Sequence, residues 1–230
     1  MNWPSKIIND INSILLPPVC FGCTAQLSGG EHLLCTVCRH DLPLTEYNFE
    51  EENPVDRIFY GRTPILKAVA FLYFSEEGIV KNLLHFLKYK NQQEVGTFLG
   101  DWLGSQLAQQ DIAIDAVIPV PLHPVKLRKR GYNQVEQFGK RIAYHLNARY
   151  MDQLLIKTQN TKTLTQKNRF NRWKSSQDLY LVKNGGHLTG KRLLLVDDVI
   201  TTGATIEACA NALLKIPGSA VYVAAMAVVP

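Results

Sequence analysis

The 230 residues are 46% hydrophobic and 20% charged, the balance of a globular chain long enough for one sizeable core and a small extra module. The longest apolar run, residues 220–229, has ten members, so a membrane span is not expected. The formal net charge of +5 conceals an asymmetry: residues 121–175 carry thirteen Lys and Arg against Glu136 and Asp152, a balance of +11, and the remainder balances to −6. A positive field focused in one segment suits polyphosphate or nucleic-acid ligands.

No secretory leader is read at the N-terminus, and the expected compartment is the cytoplasm, where thiols stay reduced. Residues 5–16, with Ile7, Ile8, Ile11, Ile14 and Leu15, form a short amphipathic pattern expected to dock on the rest of the chain. Cys20, Cys23, Cys35 and Cys38 follow in the spacing C-x2-C-x11-C-x2-C. Two thiolate pairs on tight turns supply a tetrahedral four-sulfur set, which suits zinc. With every position filled by protein, its role is structural. Cys209 stands alone and reads as a small buried apolar residue.

Residues 41–64 are polar and acidic, with Pro43, Pro54, Gly61 and Pro64, and read as a linker. Residues 66–74 read as a strand, with Ser75 placed to cap a helix carrying Ile79, Leu83, Phe86 and Leu87. A further helix is expected over residues 94–109. Lys88, Tyr89 and Lys90 interleave an aromatic with two cations. Such a pattern either stacks and clamps a single nucleic-acid strand or is a helix end whose lysines face water.

Residues 115–121 read as the first core strand, and residues 133–147, with Val135, Phe138, Ile142 and Leu146 on one face, as a helix. Between them Lys126, Arg128, Lys129 and Arg130 form a basic wall suited to phosphates or DNA. Residues 152–156 are expected to be a second strand. Residues 157–180 hold six Lys and Arg and no acid until Asp178; Lys162, Lys167, Arg169 and Arg172 are candidates to touch phosphates. Four aliphatics, Leu193 to Val196, open a third strand over 193–197, and residues 220–228 are the fourth. Strands alternating with helices predict an α/β fold built on an open, mostly parallel sheet with flanking helices and right-handed crossovers. The expected division is residues 1–45 for the helix and cysteine module, 46–110 for a linker, strand and helices joining the core, and 111–230 for the core.

The third strand ends in Asp197 and Asp198. Thr201, Thr202, Gly203, Ala204 and Thr205 follow as a polar turn before a helix. Ligands of parallel sheets sit at the carboxyl ends of the strands, and a turn with free N–H groups at a helix start holds phosphate. Carboxylates beside such a cradle can accept hydrogen bonds from a sugar diol. The combination points to a ribose 5-phosphate ligand.

This string closely resembles the phosphoribosyl-pyrophosphate (PRPP) signature of type I phosphoribosyltransferases. Arg130-Gly131-Tyr132-Asn133-Gln134 after a Pro-Val-Pro-Leu-His strand end, together with the cysteine module upstream, resembles the ComF family over nearly the whole chain from about residue 15. The resemblance implies a type I phosphoribosyltransferase-like sheet with a small N-terminal zinc-ribbon module. It implies that Asp197 and Asp198 take the ribose hydroxyls as the catalytic pair, that residues 201–205 wrap the 5-phosphate, and that Arg130 and Asn133 lie near the pyrophosphate, with Mg²⁺ bound alongside PRPP. It further implies a role in DNA uptake during natural transformation, with single-stranded DNA and other competence proteins as partners. The alternative is an active transferase of nucleotide metabolism or salvage, moving ribose 5-phosphate from PRPP to an unidentified nitrogen acceptor. Leu164 and Ser175 depart from the family pattern, where Gln and Asn are common.

Overall fold

The structure, a computed structural model, describes residues 17–158 and 179–230. The stretch 5–16 and the candidates Lys162, Lys167, Arg169 and Arg172 lie outside the described residues, as do Leu164 and Ser175. Five strands, β1 (Lys67–Tyr73), β2 (Ala116–Pro119), β3 (Arg149–Tyr150), β6 (Arg192–Ile200) and β7 (Ala220–Val228), form one sheet in the order β1-β7-β6-β2-β3. Every neighbouring pair in it is parallel. A separate antiparallel hairpin joins β4 (Leu155–Lys157) to β5 (Tyr180–Val182).

The sheet is covered on both faces, which is why its central strands carry aliphatics at consecutive positions. Leu194 and Val196 pack with α3 (Ile79–Tyr89), α4 (Glu94–Leu107) and α6 (Glu136–His145) on one face. Leu193 and Leu195 pack on the other with α7 (Ala204–Leu213), the hairpin and Val55 of the short helix α2 (Pro54–Arg57). Fully burying one such side chain contributes about 1.5–3 kcal/mol, so this strand is a principal anchor of the fold.

Helices α4 and α6 approach closely through Gly96, Gly100 and Gly104, spaced one turn apart. A Cβ at Gly100 would lie 2.7 Å from the Phe138 carbonyl oxygen, and one at Gly104 2.9 Å from His145. A side chain here would force the helices apart, a change that typically costs about 1–3 kcal/mol. The cysteine module, which includes the short helix α1 (Thr36–His40), docks on α3. The Phe21 and Phe86 rings stack at 4.4 Å, and Asn82 donates from Nδ2 to the Gly22 carbonyl at 2.6 Å.

Several sequence expectations are corrected. The second core strand is residues 149–150, and most of 152–156 turns away to start the hairpin, because β3 already pairs with β2 at Arg149 and Tyr150. Ser75 does not cap α3: its hydroxyl meets the Glu77 carbonyl, and Gly78 at φ 103° holds the N-cap position. The strand at 67–73 is an edge of the main sheet, paired with β7. The basic wall contains a helix, α5 (Pro124–Arg130), capped by His123, whose Nδ1 accepts from the Val125 N–H at 3.2 Å. Among the described residues no helix is long and apolar enough to cross a membrane.

Candidate functional site

The sheet has one switch point. From β2 the chain crosses to β3 in one direction, and from β6 it crosses to β7 in the other, so the neighbours β2 and β6 diverge. Ligands of open α/β sheets bind in the crevice outside the carboxyl ends at such a point. Strand β6 also outruns β2. Its pairing with β2 ends at Val196, opposite Pro119, whereas its pairing with β7 continues to Ile200 opposite Val228. Asp197 and Asp198 therefore sit where β6 has a partner on one side only.

The strand continues through both carboxylates, so their side chains leave on opposite faces. Asp197 is 7% exposed and lies on the face of α7 and the hairpin, near Cys209, Tyr180 and Lys157. Asp198 lies on the face of α3 and α6. Its Oδ2 accepts from Lys88 Nζ at 2.7 Å and from Gln134 Nε2 at 3.1 Å, and its Oδ1 accepts from the Val199 N–H at 2.7 Å. The sequence suggested adjacent carboxylates facing one ligand surface. The geometry instead gives one buried acid and one held in an ion pair.

Burial, reinforced by the charge of Asp198, pushes the Asp197 carboxyl up to about 8. The shift favours the protonated form, which can donate as well as accept a hydrogen bond. Its surroundings respond in kind. Burial raises the Cys209 thiol and the Tyr180 phenol, and lowers the Lys157 amine.

The turn at residues 201–205 stays open. Thr201, Thr202, Ala204 and Thr205 are exposed, and with Asp197 they border a cavity of about 50 Å³. Helix α7 begins there with no side-chain cap on its first N–H groups, an arrangement suited to an anion. Gly203, at φ 74°, permits the turn, and a Cβ there would meet Ile58 at 2.7 Å. Arg62 braces the loop from behind: Nη1 donates to the Thr202 carbonyl at 2.7 Å, and Nε donates to Glu207 Oε2 at 3.0 Å. Nothing in the local sequence around Arg62 signals this role, since its partners are about 140 positions away.

Across the crevice, Asn133 donates from Nδ2 to the Val120 carbonyl at 3.0 Å, which orients the end of β2. Arg130 bonds to the Gln134 side-chain carbonyl and lies 5.9 Å from the Tyr89 ring centre. Lys88, Tyr89, Asn91, Lys126, Lys129, Arg130 and Tyr132 line a groove of about 430 Å³. Two sequence candidates, the 88–90 pattern and the basic wall, thus meet in one place. Lys90 is exposed beside them. Arg128 points elsewhere, to a larger cavity of about 790 Å³ that it shares with Asn133, Lys157 and His187. Lys157 and Tyr180 had no distinguishing sequence pattern, and Gln134 closed the Arg130–Gln134 motif without a role being assigned to it.

The four module cysteines converge, with all sulfurs within 4.8 Å of one another. A tetrahedron with metal–sulfur bonds of 2.3 Å has edges of about 3.8 Å, and the Cys23 and Cys35 sulfurs are 3.8 Å apart. That is far beyond a disulfide bond, and all four thiols are free. Backbone N–H groups of Gly22 and Cys35 point at Cys20 Sγ from 3.3 and 3.2 Å. Burial opposes ionisation of Cys20, but hydrogen bonds from Cys35, Cys23 and Gly22 outweigh it and bring the thiol down to about 7. Burial and the neighbouring sulfurs push Cys38 far up. Four thiolates cannot gather here without a cation between them, so the donor set fits a soft divalent metal. A Cβ at Gly22 would lie 2.9 Å from Cys38 Sγ, so only glycine admits the sulfurs at this closeness.

The raised Asp197 has a consequence for stability. Its folded value of about 8 lies above the unfolded value of about 3.9, so its contribution is complete below about pH 4 and is lost as pH rises through about 8. Thermal unfolding from pH 6 to 9 should show wild-type stability falling and then levelling, with Asp197→Asn flatter. An Asn variant that tracks wild type across the window would remove the burial account.

Residues 130–228 match the phosphoribosyl transferase domain family. The chain is 32% identical over 105 residues to competence protein F of Haemophilus influenzae, covering 44% of this chain and 45% of that protein, so the match spans about half the relative's length. It is 25% identical over 230 residues to the DNA utilization protein YhgH of Escherichia coli K12, covering 91% and 96% of the two. Among solved structures it is similar to the glutamine PRPP amidotransferase of B. subtilis, with a TM-score of 0.44 and 21% identity over 62% of this chain and 30% of that one. The phosphoribosyl transferase domain match, the relatives named for competence and DNA utilization, and the four-cysteine module joined to a parallel sheet together support a place for this chain in the ComF family.

Proposed function

We propose that this ComF protein binds PRPP with Mg²⁺ at the β2–β6 crevice and handles single-stranded DNA in DNA uptake, in company with other competence proteins. One observation carries the reading: a cationic groove bearing an exposed aromatic reaches the carboxylate edge of the sheet through a single side chain, Lys88. Aromatic faces and cations along a groove suit single strands without sequence preference. The names of the relatives, competence protein F and DNA utilization protein, support the same direction.

In the crevice, the open turn at 201–205 and the start of α7 would receive the 5-phosphate. Asp197 and Asp198 would receive the ribose hydroxyls from the free edge of β6. PRPP supplies the phosphate oxygens through which Mg²⁺ commonly binds. Asn133 acts by fixing the Val120 backbone, and Arg130 by closing the groove. The module of residues 1–45 is a zinc ribbon in this reading, and residues 111–230 form the transferase-like core together with β1, α3 and α4 of the segment 46–110, which the sequence reads as a joining region. The free thiols suit the cytoplasm.

A second reading, transfer of ribose 5-phosphate to a nitrogen acceptor, is favoured by the buried Asp197 and the open phosphate turn. Asp197 and Asp198 would be its catalytic pair, stabilising charge that develops at the sugar carbon. Release of pyrophosphate from PRPP across a panel of bases separates the two readings, and a blank panel leaves the binding role.

Three outcomes are expected. PRPP with Mg²⁺ at about a hundred times its Kd should raise the melting temperature by roughly 5–10 °C, and Asp198→Asn should lose most of that shift; equal shifts in both proteins would exclude the crevice. Binding of a dT oligonucleotide should weaken with salt. Converting Lys126 and Lys129 to Glu should reduce the logarithmic salt slope by about 1.4, at about 0.7 per phosphate contact; an unchanged slope would remove these residues from the DNA surface. Elemental analysis should find one zinc per chain, lost in Cys38→Ser together with thermal stability. Metal-free native protein of equal stability would reject the zinc ribbon.

A further inference from the structure

Lys88 belongs to two neighbourhoods at once. It lies in the last turn of α3, its side chain is 24% exposed, and its Nζ is 2.7 Å from Asp198 Oδ2. The same side chain lines the groove with Lys126, Lys129 and Arg130. Those three cations repel it, and the carboxylate holds it. Gln134 makes a parallel link, since its amide donates to Asp198 Oδ2 while its carbonyl oxygen accepts from Arg130. Oδ2 thus already accepts two hydrogen bonds, and Oδ1 accepts one from the Val199 N–H. A sugar hydroxyl that approaches Oδ2 contends with Lys88 for it.

We infer that Lys88 is a positioning residue that couples the two ligands: in the free protein it occupies Asp198, and a single strand in the groove draws it off and frees the carboxylate for the sugar. The inference rests on the reading proposed above and adds a direction to it. A phosphodiester placed among Lys126, Lys129 and Arg130 turns the surroundings of Lys88 from repulsive to attractive. Conversely, a ribose hydroxyl on Oδ2 releases the Lys88 charge into the groove, where it adds to the field that holds DNA. Linkage makes the two effects equal in free energy, so each ligand must tighten the other by the same factor.

The test measures the affinities of ribose 5-phosphate with Mg²⁺ and of a dT oligonucleotide, each alone and with the other saturating. Ribose 5-phosphate avoids turnover. The wild type should show mutual tightening of about fivefold or more, within the usual span of coupled sites. Lys88→Gln should bind ribose 5-phosphate more tightly when alone and show no response to the oligonucleotide. Lys88→Arg should retain the coupling, which separates a charge effect from a folding defect. Independent or antagonistic binding in the wild type overturns the inference while leaving the two sites standing, as does coupling that survives in Lys88→Gln. No binding of ribose 5-phosphate at any concentration overturns both this inference and the crevice itself.

Discussion

The unequal length of β2 and β6 is the constraint on which the rest of the site depends. As long as β6 has a strand on each side and helices on both faces, each position must be apolar, and Leu193 to Val196 are. Beyond Val196 the β2 side opens, and polar side chains become affordable there. Two acids enter at that position. Because the strand persists to Ile200, they go to different faces, one into the packed layer under α7 and one toward α3. The crevice, the buried Asp197 and the Lys88–Asp198 pair all follow from a strand that continues past its neighbour.

The helices on the α3 side are placed to exploit that geometry. Gly96, Gly100 and Gly104 let α4 lie against α6 at backbone distance. This draws the start of α6 down onto the carboxyl ends of β2 and β6. Asn133 then reaches the Val120 carbonyl, and Gln134 reaches Asp198. Tyr132, just before them, contacts the Leu87 carbonyl at the end of α3. The cysteine module packs against the same helix through Phe21 and Phe86. The four-cysteine module thus supports the helix that delivers Lys88, and loosening of the module would be felt at Asp198 through α3.

Most of this scaffold was legible in the residues. Four consecutive aliphatics identify a strand buried on both faces. The apolar spacing of Ile79, Leu83 and Leu87 and of Phe138 and Ile142 identifies two of the helices that cover it. Residues 220–228 form a strand with the expected bounds. The failures have a common physical origin. Helix α5 has no buried residue, so it leaves no apolar period to read. The extension of β6 past Val196 is held by pairing with β7, a long-range contact, against the usual exclusion of Asp from strands. The split of 149–157 into a sheet strand and a hairpin strand depends on where β2 ends. Arg62 and Gln134 acquire their roles from partners that sequence spacing does not reveal.

The two clusters that define this chain solve one electrostatic problem in different ways. Like ionisable groups brought together in partly buried surroundings cannot all carry charge unless a countercharge is supplied. The four cysteines offer their sulfurs to a common centre, with backbone N–H groups favouring the thiolate at Cys20, and a divalent cation would complete the arrangement. The two aspartates divide the burden: burial pushes Asp197 toward its protonated form, and Asp198 takes a lysine. The first solution would be permanent, because four sulfur ligands from the chain would hold the metal on every side. The second is exchangeable, because an ammonium on a four-carbon stem can leave for another anion at the cost of one ion pair. That difference suits the cysteines to architecture and the aspartates to the ligand response proposed for them.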